Sequence, residues 1–97
     1  MIQTNVRTVK ILFLDDNAAM HRVFKAFVKY YETAKQGIVF DVDYFSSSSQ
    51  FYTERSVRYD IAIVDYNIGP ALHDTGDNVL TNLNGSCPLK YILTGES

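Results

Sequence analysis

The sequence predicts a doubly wound α/β domain, a parallel sheet of four strands with about three helices on its faces. Three observations predict it. Apolar stretches at residues 9–14, 38–45, 60–64 and 89–93 recur along the chain, each of strand length. The segments between them carry helical spacing or helix-capping residues, so strand and helix alternate, as right-handed crossovers in a parallel sheet require. Two of the stretches, Ile11-Leu12-Phe13-Leu14 and Ile61-Ala62-Ile63-Val64, are unbroken in apolar content, the pattern of strands covered on both faces.

The first strand is expected over residues 9–14. Asn17 then caps a helix whose apolar positions Met20, Val23, Phe24, Phe27, Val28 and Tyr31 form one stripe of 3.6-residue periodicity. His21, Arg22, Lys25 and Lys29 fall off that stripe and are expected to face water. Gly37 is placed to end the helix in a left-handed turn. In the second strand, residues 38–45, Phe40, Val42 and Tyr44 alternate with Asp41 and Asp43, so one side is wet and the strand belongs at a sheet edge. A serine run at 46–49 caps a short second helix around Phe51 and Tyr52. The third strand covers residues 60–64, and Asn67-Ile68-Gly69-Pro70 is loop chemistry. A third helix runs from Thr75 or Gly76 through Val79, Leu80 and Leu83, Asn84-Gly85 closes it, and Pro88 leads into the fourth strand, residues 89–93.

With 97 residues the chain is expected to form a single domain, residues 1–97. A net charge of −2 provides no broad attraction to nucleic acid or an anionic membrane, and no apolar run approaches the length of a membrane helix. The first residues lack the layout of a signal peptide. Cys87 is the only cysteine, which excludes an internal disulfide and fits a cytoplasmic protein with a buried neutral thiol. His21 and His73 have no second His or Cys at ligand spacing, so zinc is not expected, and no phosphate-binding glycine loop or nucleophile elbow is present.

Three strands end on reactive oxygens: Asp15-Asp16 after the first, Asp65 after the third and Thr94 after the fourth. Parallel sheets bind ligands along the edge formed by their strands' carboxyl ends. Clustered carboxylates repel one another, and a divalent cation with a preference for oxygen, Mg2+ or Mn2+, resolves that conflict. The Asn67 carbonyl, two residues beyond Asp65, is a further oxygen donor. With the charge offset, Asp65 is able to attack phosphorus and form an aspartyl phosphate. Thr94 suits a hydrogen bond to a phosphoryl oxygen, and Gly95 leaves room for a donor or water.

Ile-Leu-Phe-Leu-Asp-Asp-Asn (11–17), Tyr-Asp-Ile-Ala-Ile-Val-Asp-Tyr-Asn (59–67) and Pro-Leu-Lys-Tyr-Ile-Leu-Thr-Gly (88–95) together resemble the receiver domains of two-component response regulators. The resemblance implies a flavodoxin-like sheet of order 2-1-3-4-5, truncated here to 2-1-3-4. It implies Asp65 as phospho-acceptor, with Asp15, Asp16, Asp65 and Asn67 holding the metal and Thr94 as the switch hydroxyl beside Gly95. It implies a histidine kinase or phosphotransfer protein as donor, and no enzymatic activity beyond autocatalytic phosphoryl acceptance on Asp65.

Two departures accompany the resemblance. The family's glycine usually follows the acceptor by eight residues, whereas Gly76 follows Asp65 by eleven, so the loop at 68–75 is longer. The family pattern also continues with a helix, a strand ending in a phosphate-facing lysine, and a last helix; these have no counterpart here, so the domain is expected to be incomplete at its C-terminus. Lys90 is four residues before Thr94, roughly 13 Å away along a strand, and Lys10 is displaced likewise. The fourth strand is then an open apolar edge, and Leu89, Tyr91 and Leu93 are expected to pair with a second copy or a partner chain. A phosphorylation-independent interaction or dimerisation module that keeps the acidic site is the alternative; a fragment of a longer receiver is a third.

Overall fold

The structure, a computed structural model, describes residues 6–66 and 75–93. In chain order the elements are β1 (Arg7–Leu14), α1 (Ala18–Ala34), β2 (Ile38–Phe45), α2 (Ser48–Glu54), β3 (Ile61–Asp65), α3 (Gly76–Leu83), a 3-10 turn (Asn84–Ser86) and β4 (Leu89–Leu93). All strand pairs are parallel, in the order β2-β1-β3-β4, a sheet of flavodoxin-like type with β2 at an edge. β1 starts earlier than the apolar run, because Arg7 pairs with Ile38 and its N–H donates to the Gly37 carbonyl at 2.7 Å. β3 is shifted by one residue: Asp60 closes the strand entrance, its N–H on the Lys10 carbonyl and its carboxylate accepting the Lys10 N–H, both at 2.8 Å.

Local chemistry accounts for the element ends. Asn17 caps α1 by accepting the Ala19 N–H at 2.8 Å, and Ser47 caps α2 by accepting the Gln50 N–H at 3.1 Å. Beyond α1, Gly37 adopts φ 90°, a left-handed conformation that a side chain would strain.

The core is asymmetric. On one side of the sheet, Leu12, Leu14, Phe45, Ala62 and Val64 bury against Phe51 of α2, Val79 and Leu83 of α3, Tyr59 and Cys87. Arg55 ties this side together: its guanidinium lies over the Phe51 ring and donates to Asn82 and to the Ser56 and Val57 carbonyls. On the other side α1 leans over β1 and β2, with Phe24 stacked on Phe13 at 4.4 Å and Tyr31 edge-on to Phe40. No α1 residue is buried. The single expected stripe of α1 is in fact two: Phe24, Val28 and Tyr31 turn inward, while Met20, Val23 and Phe27 are exposed.

The second strand's wet side also needs correction at one position. Asp41 is exposed, but Asp43 is partly enclosed and accepts hydrogen bonds from Tyr59 and Ser56 at 2.7 Å each and from Lys10 at 3.1 Å. Cys87 is buried, its thiol pushed up by that burial and its S–H directed at the Leu89 carbonyl.

Candidate functional site

Pairing of β1 with β3 in the sheet centre brings their carboxyl ends together, Leu14 lying opposite Val64. The next residues are Asp15 and Asp65, and with Asp16 each offers a carboxylate oxygen within 4.8 Å of the other two. Asp15 is buried, 4% exposed, whereas Asp16 is exposed and Asp65 intermediate. Two hydrogen bonds hold Asp15: its N–H donates to the Phe45 carbonyl at the end of β2 at 3.1 Å, and its Oδ1 accepts the Asn17 N–H of its own turn at 2.9 Å. Asn17 thus serves both the helix and the site, through its side chain and its backbone.

Two further residues shape the site, and neither was expected there. His21, read as water-facing, is partly buried, edge-on to Phe13, and donates from Nε2 to the Asp15 carbonyl at 2.6 Å. The spacing 21, 24, 28, 31 aligns it with Phe24, Val28 and Tyr31, but only the packing of α1 on the sheet makes that stripe the inward one. Gly76 opens α3 directly against β3. Its N–H donates to the Tyr66 carbonyl at 2.7 Å, and a Cβ on it would stand 2.6 Å from the Asp65 carbonyl oxygen. Only glycine allows α3 to start so close to Asp65.

Leu93 is opposite Asp65 in the β3–β4 register. Asn67, Thr94 and Gly95, expected to complete the site, lie outside the described residues, as does His73. Lys10 is committed elsewhere, paired with Asp41 at 3.0 Å and Asp43 at 3.1 Å. Lys90 is exposed and in register with Ala62, three positions before the level of Asp65.

The donor set is all oxygen and all anionic, a fit for a hard cation such as Mg2+ or Mn2+ and a poor one for metals that favour nitrogen or sulfur. No protein-family model, curated protein or solved structure matches the chain. No helix among the described residues is long and apolar enough to cross a membrane.

Proposed function

We propose that this protein is a receiver-like signalling module that binds Mg2+ at Asp15, Asp16 and Asp65 and accepts a phosphoryl group on Asp65. The observation that carries this reading is the convergence of three carboxylates at adjacent strand ends, with the start of α3 pressed through Gly76 against the Asp65 backbone. A Mg2+ ion held there would offset the repulsion between these carboxylates and an incoming phosphoryl group. The chain's own residues supply the rest. Asp15 is fixed by Asn17 and His21, so that it is oriented before any ligand arrives. Asp65 provides the nucleophilic oxygen. Its bond to phosphorus forms as the phosphorus–nitrogen bond of the donor's phosphohistidine breaks, and the imidazole leaves with that electron pair. Asn67, Thr94 and Gly95 are assigned to metal and phosphoryl contacts by the family resemblance. The donor would be a histidine kinase or phosphotransfer protein in the cytoplasm, and the protein would act through contacts with other proteins.

Incubation with Mg2+ and acetyl phosphate should add the mass of one phosphoryl group, and Asp65→Asn should remove that adduct. Absence of an adduct, together with absence of any Mg2+-dependent spectral change that Asp65→Asn removes, would refute this reading. A second reading, an interaction module that keeps the acidic site without using it, is favoured by β4, where Leu89, Tyr91 and Ile92 are all exposed. It expects partner binding that is unchanged by Asp65→Asn.

A further inference from the structure

Helix α1 carries two apolar stripes where a helix covering one sheet face needs one. The inward stripe rests on β1 and β2, through the rings of Phe13, Tyr44 and Phe40. The second stripe, Met20, Val23, Phe27 and Tyr30, is 37%, 60%, 58% and 72% exposed. Its spacing of three, four and three residues is that of a helix–helix seam. The charges of α1 lie off this seam: Arg22, Lys25 and Lys29 project from the opposite flank, Lys25 is 4.8 Å above the Tyr44 ring at the β2 edge, and Glu32 accepts the Phe40 N–H of β2. The seam therefore faces the other way, towards β3 and β4.

On that side the sheet is bare among the described residues. Strand alternation and register put Ile61, Ile63, Leu89 and Tyr91 on the same face as Val9 and Ile11. An apolar groove of about 340 Å³ runs between α1 and the sheet, from Ile38 and Phe40 of β2 to Ile61 and Ile63 of β3, with Phe27 on its wall. Leu89 and Tyr91, 49% and 54% exposed, continue the floor outward. Parallel sheets are stable with both faces covered, so this half-face is an unfinished layer.

We propose that a second copy of the chain completes it, two copies burying the α1 seam and the bare β3–β4 face against each other about a two-fold axis. The size of the patch supports that occupant. Three aromatic rings more than half exposed, with Met20, Val23 and Leu89, present on the order of 600–700 Å² per copy, near the ~800 Å² per partner of a stable interface. A seam free of charge meets the apolar β3–β4 face of the other copy without burying an unpaired ion, and a two-fold arrangement uses both seams and both faces. The interface lies on the sheet face, not along the hydrogen-bonding edge of β4, and it does not depend on phosphoryl chemistry at Asp65.

Sedimentation equilibrium of the full chain from low-micromolar to hundred-micromolar concentration should give a mass twice the 11.0 kDa of one chain. The double variant Val23→Glu/Tyr30→Glu changes only exposed positions; it should weaken association at least tenfold while its far-ultraviolet spectrum stays that of the parent. Ile92→Lys, on the opposite face of β4, should leave the dimer intact. As a measure independent of variants, amide exchange in α1 and β4 should slow as wild-type concentration rises. A wild-type monomer throughout the range, or a dimer that survives the double variant, overturns the proposal. So does a dimer lost with Ile92→Lys but kept in the double variant, which would move the contact to the other face of β4.

Discussion

Asp43 accepts from three donors at once, and a carboxylate is the side chain that can do so without offering a donor of its own. Burial raises its carboxyl, but the hydrogen bonds from Tyr59, Ser56 and Lys10 outweigh that and hold it below the ordinary carboxylate value. Its contribution to stability is therefore complete above about pH 4 and disappears as pH falls through the lowered folded value. Lys10 runs the opposite way: burial lowers it, the bonds to Asp41 and Asp43 more than compensate, and its contribution is lost only as pH rises beyond 10.5. Asp43→Asn should cost about 1–3 kcal/mol and reduce the loss of stability below pH 4, as read from urea midpoints across pH. At the acidic site, His21→Phe keeps a ring against Phe13 but removes the donor to the Asp15 carbonyl. It should weaken Mn2+ binding about tenfold in spin-resonance titrations, the size expected when a group that orients a metal ligand is lost.

At the scale of the element, the start of α3 and the two stripes of α1 matter most. Gly76→Ala would drive a methyl group into the Asp65 carbonyl and against Val64, so α3 must move away from β3. A loss of about 1–3 kcal/mol is expected, with weaker Mg2+ binding because the displaced backbone carries Asp65. Exposed-loop insertions would not have this effect, so the variant tests whether the site is built on the α3–β3 contact. Asn17 was plain as a cap in the sequence and the serine run at 46–49 as the source of the other, since Asn17 and Ser47 act on N–H groups only two and three residues away. Which serine caps was decided by the structure. Asn17→Ala should cost about 1 kcal/mol through the cap, read from urea midpoints, while the backbone N–H bond to Asp15 stays in place. The division of α1 was not plain. Periodicity identifies an apolar helix, but six apolar positions spread around so wide an arc do not say which of them meet the sheet.

For the whole molecule, the consequence is an uneven monomer: one side of the sheet has a closed core, the other a helix with no buried residue. If a second copy supplies the missing cover, folding and association are linked, and the thermal midpoint should rise with protein concentration. For a domain of this size each kcal/mol gained would move it by about 4–8 °C. A midpoint independent of concentration would argue against that linkage.

The order of elements, their parallel sense and the acids at strand ends were legible in the sequence because each depends on local pattern: apolar runs of strand length, helical spacing, caps and a left-handed glycine. The approach of Asp15, Asp16 and Asp65 followed once β1 and β3 were taken as neighbours, and the structure pairs them. Long-range packing decided the rest. His21 meets the Asp15 carbonyl because α1 leans over β1, and Asp43 is enclosed because Ser56 and Tyr59 fold back onto β2 from far along the chain. The α1 seam is left exposed for the same reason. How a helix rolls on a sheet is set by every ring beneath it, and no local spacing encodes that sum.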